Sequence, residues 1–259
     1  MQNNMNQLPQ IRGLAKVRNE EAIIKDTLDK WAEFCTKGIY IYDDVSTDNT
    51  VQICEDHPAV IEVIRGEFWD PDREKAEWFN RQTVLARAQQ DAVPKDWFVY
   101  FDADEHPYNF KDFELFNHPQ VSAIAMRLYD IYITPEDVDK NYKERQFIGP
   151  EFRTIPFFFK NSPYLRYHLP DQRIVTMEEG IRIPVHGDIK HYGKGLSVEQ
   201  WEATCDYYIK HWPKYSDKWR ERKGKAVKEN MKSDFGNPLI PWKDRAKGFS
   251  LETQFYGKN

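Results

Sequence analysis

The chain is poor in cysteine and has no long apolar run, no glycine-rich signature and no excess of basic residues. Each shortage removes a class of protein. Cys35, Cys54 and Cys205 are odd in number and form no CxxC pair. They read as reduced thiols of a cytosolic protein, not as a disulfide framework. No stretch approaches the ~20 consecutive apolar residues that cross a bilayer, and the polar segment Met1 to Gln10 lacks the apolar core of a secretory leader. Neither a dinucleotide glycine fingerprint, a Walker A loop nor HExxH is present. A Ser-His-Asp elbow is missing too. With 37 Lys/Arg against 42 Asp/Glu the net charge is −5, which argues against general nucleic-acid binding.

What the chain does have is length, aromatic side chains and an uneven charge. Its 259 residues suffice for one large α/β domain with a substantial core. Aromatics reach 15%, which points to a bulky core, with sugar or base stacking as the alternative use. From Lys210 to Asn259 there are 13 Lys/Arg and 6 Asp/Glu, so this segment carries +7 and the rest −12. It reads either as a solvated helix face or as a surface for an anionic acceptor or a membrane. The expected location is cytoplasmic, with peripheral membrane contact through that segment.

Periodicity predicts alternating strands and helices over the first part of the chain. Gly13 to Val17 reads as a strand, and Asn19 is placed to cap a helix with Ile24, Leu28 and Trp31 at i, i+4 and i+7. Ile39 to Asp44 is a strand, Ser46 or Thr47 caps a helix ending before Pro58, and Val60 to Arg65 is a third strand. Glu74 to Ala92 is a long helix and Trp97 to Asp102 a fourth strand. Such alternation predicts an α/β fold with a mostly parallel open sheet and helices on both faces. Later strand-like runs are Val121–Ile133, Phe152–Phe159, Tyr164–Tyr167 and Ile181–Tyr192, and a capping box of Ser197 with Gln200 opens a helical tail. Without a linker or repeat, a single domain is expected over 1–259, with functional parts 11–107, 108–196 and 197–259.

Two of the strands end on carboxylates. Asp102 and Asp104 are two residues apart, so in extended chain both leave the same side of the backbone, an arrangement that suits Mg²⁺ or Mn²⁺ with phosphate and water oxygens. A solvated acidic turn is the plainer alternative. An EF-hand is excluded, because Pro107 stands where that loop needs glycine and Phe113 where it needs the bidentate glutamate. Asp43 and Asp44 diverge to opposite faces as neighbours in a strand, so one of them reaches the crevice at the strand ends. The alternative is that Asp44 caps the following turn with Ser46.

Lys16-Val17-Arg18-Asn19-Glu20, then Asp43-Asp44-Val45-Ser46-Thr47-Asp48, Asn80-Arg81 and Asp102-Ala103-Asp104-Glu105 together resemble family 2 glycosyltransferases of the GT-A fold, over about the first 107 residues. The resemblance implies an inverting, metal-dependent transferase that takes a sugar from a nucleotide diphosphate, with Mn²⁺ or Mg²⁺ as cofactor. It assigns Asp44, beside Asp43, to the base, Lys16 and Arg18 to the nucleotide wall and Arg81 to base or phosphate. Asp102 would face ribose and metal, and Asp104 would ligate the metal. Val45 departs from the pattern, since relatives often carry glycine there. Phe157 to Asp171 looks like the segment that ends in a His-Glu pair in many relatives. Its Asp171 is the expected base that deprotonates the acceptor hydroxyl, with Asp188 as the rival. His191, in His191-Tyr192-Gly193, resembles the family's late histidine and would reach the metal or the diphosphate; His186 is the weaker candidate. A UDP-sugar is the expected donor, and a glycan or lipid-linked glycan the expected acceptor. A metal-dependent nucleotidyl- or phosphotransferase and a non-catalytic carbohydrate-binding protein are the competing classes.

Overall fold

The structure is a computed structural model and describes residues 9–168, 173, 175–176 and 182–251. The chain divides into two compact units: Met1–Ala103, Asn109–Ala125 and Pro156–His186 form the first, and Asp104–Tyr108, Met126–Ile155 and Gly187–Asn259 the second. Its elements in order are β1 (Ile11–Val17), α1 (Ile24–Ala32), β2 (Ile39–Asp43), α2 (Thr50–Asp56), β3 (Val60–Arg65), α3 (Arg73–Gln90) and β4 (Trp97–Asp102). They continue with β5 (Glu105–Tyr108), β6 (Ala123–Tyr132), β7 (Phe147–Lys160), β8 (Val185–His191), α4 (Val198–His211), α5 (Ser216–Arg222), β9 (Ile240–Pro241) and β10 (Phe249–Ser250).

In the first unit four parallel strands lie in the order β3-β2-β1-β4, and the end of β7 adds antiparallel to β4. The α/β class and the parallel open sheet expected from the alternating pattern are therefore observed. Helices pack on both faces, as strand alternation requires. Leu14, Tyr40, Tyr42, Phe98 and Tyr100 meet Val84, Leu85 and Ala88 of α3. On the opposite face Trp31 of α1 stacks on Phe101 at 4.9 Å and lies against Phe157 at 6.0 Å. Aromatic side chains supply much of this core. Gly38 enters β2 with φ +77, and a Cβ there would meet Ile61 at 2.3 Å, so only glycine fits.

Several local expectations are corrected. Asn19 does not cap α1: it sits at φ 54 outside the helix, and α1 starts at Ile24 with no side-chain cap. The α2 cap is likewise neither Ser46 nor Thr47. The residue before the helix is Asn49, and Asp48 Oδ1 accepts the Thr50 N–H at 3.0 Å. Tyr164–Tyr167 forms no strand but a turn with a single bridge from Tyr167 to Val175.

In the second unit β5 pairs antiparallel with β8, β9 antiparallel with β7, and β10 parallel with β7. Ser197 caps α4 as expected, its side chain accepting from the Gln200 N–H at 3.1 Å. Trp201 and Cys205 of α4 form a small core with Ala226, against which Val198 and Trp219 pack. Among the described residues of the tail the last α-helix is α5, ending at Arg222; turns, the short β9 and β10 and a 3-10 helix at Trp242–Lys247 follow. All three cysteines are buried free thiols, Cys35 and Cys54 in the first unit and Cys205 in the second. Among the described residues no helix is long and apolar enough to cross a membrane.

Candidate active site

The carboxyl ends of β1, β2 and β4 in the first unit carry the predicted residues. Lys16 of β1 is in register with Asp102 of β4, and Val17 with Asp43 of β2. The order β3-β2-β1-β4 reverses direction at β1, which is where an open α/β sheet leaves a crevice. Asp43 and Asp44 diverge as adjacent residues must. The turn contact that the alternative reading gave to Asp44 belongs to Asp43, whose carboxylate accepts the Ser46 N–H at 3.1 Å. Asp44 is instead held through Oδ2 by Arg73, both side chains being buried. The next residue, Val45, adopts φ 60. This left-handed conformation is a true outlier for a β-branched side chain. The Arg18 guanidinium clamps it by donating to the carbonyls of Asp44 at 2.5 Å and Val45 at 3.0 Å. Asn19 completes the staple, donating its N–H to Ser46 Oγ at 3.0 Å and accepting the Thr47 N–H at 2.7 Å.

A polar spine on α3 joins these acids. Arg73, Glu77 and Arg81 repeat at i, i+4 and i+8 and so share one helix face. Glu77 pairs with Lys16 through Oε1 and with Arg81 through Oε2 at 3.0 Å. Arg81 Nε donates to the Tyr100 hydroxyl at 3.2 Å, which donates to Asp102 Oδ1 at 3.0 Å. Arg173 closes the far end, reaching Asp102 Oδ2 at 3.2 Å and the Tyr100 carbonyl at 3.0 Å. Burial opposes the ionised form of Glu77, but Lys16 and Arg81 outweigh it and hold its carboxyl below the usual range. Asp102 is lowered in the same way, burial being overcome by Arg173, Arg81 and Lys16. Burial, with the Asp102 charge added, pushes the Tyr100 phenol well up, so it stays a donor.

The second unit holds a separate chain of charges. His191 lies between two carboxylates, with Nε2 3.3 Å from Asp104 Oδ2 and Nδ1 2.6 Å from Asp130 Oδ1. Asp130 also binds Lys194 at 2.8 Å and Arg153 at 2.9 Å. Burial disfavours the charged imidazole, but Asp104 and Asp130 prevail and push its pKa up to about 10. A Cβ at Gly193 would come within 2.7 Å of Asp104 Oδ2 and 3.0 Å of His191 Nε2. Glycine therefore keeps open the space beside both donor atoms. Among the described residues no group of three or more His, Cys, Asp or Glu side chains is gathered for a metal ion. A Mg²⁺ or Mn²⁺ ion that binds with a phosphorylated ligand needs only one or two protein donors, and Asp104 fits that demand, joined by His191 once the imidazole gives up its Nε2 proton.

The first unit thus brings together Lys16, Asp44, Arg81 and Asp102, and the second brings together Asp104 and His191. Asp188 stands apart from both groups. It is fully buried, its Oδ1 bound by Arg127 at 2.6 Å and its Oδ2 by Arg245 at 2.8 Å, so both oxygens serve an internal ion pair. His186 accepts the N–H groups of Lys111 at 3.2 Å and Asp112 at 3.1 Å, a structural use. Asp171 lies outside the described residues. Sequence reasoning missed Arg73, Glu77, Tyr100 and Arg173. The i, i+4, i+8 charge spacing on α3 was the available signal for the first two.

No protein-family model matches the chain. Uncharacterised proteins of Mycobacterium tuberculosis and Mycobacterium bovis are each 33% identical over 97 residues, which is 36% of this chain and 23% of theirs. The match therefore spans about a quarter of those relatives. Residues 1–349 of S. aureus TarS align over 81% of this chain and 69% of that chain, with 14% identity and a TM-score of 0.42. Glucosyl-3-phosphoglycerate synthase from Mycobacterium tuberculosis, crystallised with Mn²⁺, uridine diphosphate and glucosyl-3-phosphoglycerate, aligns over 46% of this chain and 44% of that chain, with 17% identity and a TM-score of 0.31. Similarity at this level does not assign the chain to the family of either structure.

Proposed function

We propose that the chain is a metal-assisted, inverting glycosyltransferase that moves a sugar from a nucleotide diphosphate, a UDP-sugar in the first instance, to a hydroxyl of a glycan or lipid-linked glycan. One observation carries this reading: Lys16, Asp44 and Asp102 stand at or just past the carboxyl ends of β1, β2 and β4, around the point where strand order reverses. A crevice there with buried carboxylates and cations suits a nucleotide. Asp44, oriented by Arg73, accepts a hydrogen bond from the base, while Lys16 and Arg18 line the nucleotide wall. Asp102, held by Tyr100 and Arg173, faces the ribose. Asp104 and His191 would hold the divalent ion, which when bound neutralises the departing diphosphate. The carboxylate that takes the acceptor proton is assigned to Asp171. Asp188 is the weaker choice, because Arg127 and Arg245 occupy both of its oxygens.

The test is a panel of nucleotide sugars with and without Mn²⁺, following release of nucleotide diphosphate and thermal stabilisation by donor. Asp104→Ala is expected to abolish Mn²⁺-dependent donor binding in a folded protein, and unchanged donor affinity would remove the metal assignment. Asp44→Ala should weaken the nucleoside contact by about 1–3 kcal/mol, the value of a hydrogen bond to a charged group. Asp171→Asn should slow turnover by roughly 10²–10⁴-fold with little change in donor affinity, as loss of a general base does. Near-normal transfer by that variant would move the base elsewhere.

A further inference from the structure

The second unit contains a cavity of about 680 Å³, lined by α5 and by the chain from Gly224 to Phe235, that the reading above does not use. Five of its lining residues are cationic and three acidic, a balance of +2. Asp234 in the lining pairs with Lys228 at 2.6 Å and Arg222 at 3.0 Å, and with Lys194 at 2.9 Å, a lysine outside the lining that it shares with Asp130. The Lys228 ammonium is further fixed over the rings of Tyr132 at 5.3 Å and Trp201 at 5.5 Å. At the rim Lys218, Lys225 and Lys232 have no ion pair with a carboxylate among the described residues. Burial and the neighbouring Arg222 and Lys194 lower the Lys218 pKa, and Asp234 opposes them only in part.

We propose that this cavity binds the phosphate of a small organic phosphate, a monoester of a sugar or polyol. A phosphate brings about 1.5–2 negative charges and three strong acceptor oxygens, and lysines bind it as point charges. Cavities of roughly 300–1,000 Å³ bury whole small molecules, so the site has room for the organic part as well as the anion. A concave site with lysines spread around its lining favours a discrete phosphate over the flat surface of an anionic membrane.

The test reads binding without donor and without transfer. Glycerol 1-phosphate and inorganic phosphate are titrated calorimetrically into the full chain and into Lys218→Ala and Lys232→Ala, made singly and together. Both side chains are exposed, so folding should persist, and an unchanged melting temperature and UDP affinity check this. The expected result is saturable binding of glycerol 1-phosphate, tighter than inorganic phosphate, weakened about tenfold or more in the double variant. Equal affinity in wild type and double variant overturns the proposal. So does lysine-dependent binding to phosphatidylglycerol vesicles without binding of glycerol 1-phosphate, which would make the patch a membrane contact. Failure here leaves nucleotide-sugar turnover untouched, and absence of that turnover leaves phosphate binding standing.

Discussion

Val45 and Glu77 show how single residues hold the first cluster. Val45 stands at φ 60, where an L-residue costs about 1–2 kcal/mol relative to right-handed backbone. Glycine would remove that strain but adds unfolded-chain entropy of about 0.4–1 kcal/mol. Val45→Gly is therefore expected to stabilise the fold by roughly 0.5–1 kcal/mol, read from the urea midpoint; a lower midpoint would mean that the side chain's packing outweighs the strain. Glu77 lies between Lys16 and Arg81, so Glu77→Gln removes the carboxylate both cations pair with, leaves them only the Asp102 charge, and should cost about 3–5 kcal/mol at pH 7. Its carboxyl is lowered from an ordinary 4.5 in the folded state. The unfolded chain thus takes up the proton first, and Glu77's contribution is complete above pH 4.5 and is lost as pH falls through the lower folded value. Melting temperatures of wild type and Glu77→Gln should converge on acidification, and a constant gap would rule out Glu77 as the titrating group.

At the scale of elements, the half-exposed edge strand β3 was readable from its β-branched residues, and β2 and β4 were readable because a buried parallel strand is a continuous apolar run. The residues at their ends, Asp43, Asp44 and Asp102, were readable for the same reason. The α3 spine was not, because a charged helix face looks identical whether it meets solvent or a row of buried acids. Arg173 was hidden more thoroughly: it reaches Asp102 from 71 positions away in sequence, and no local pattern encodes that. The partners of Asp188 are equally remote, 61 positions to Arg127 and 57 to Arg245, so its structural use could not be seen beside the His186–His191 segment. Helix starts were misread wherever a loop side chain had a better offer across the fold, as Asn19 does with Thr47. Ser197 had none and caps α4 as its sequence says. Ser197→Ala should lose about 1 kcal/mol, the usual worth of such a cap, measured by denaturation followed at the Trp201 and Trp219 fluorescence.

For the whole molecule the two compact units matter most, because the thiols are distributed between them: Cys35 and Cys54 in one, Cys205 in the other. Burial pushes the Cys54 thiol up to about 12 and Cys205 to about 11, and raises Cys35 as well. Reactive thiolate is then absent while each unit stays closed. The cysteines serve as built-in clocks for local opening. If the units open independently, labelling by a thiol reagent should proceed in two phases, with Cys205 separable from Cys35 and Cys54 by mass of the modified peptides, and UDP without metal should slow only the Cys35 and Cys54 phase. One shared rate at all three positions, with and without nucleotide, would mean that the chain opens as one cooperative body. A handful of buried sulfur atoms, chemically silent in the folded state, thus turns the division of this chain into a quantity that can be timed.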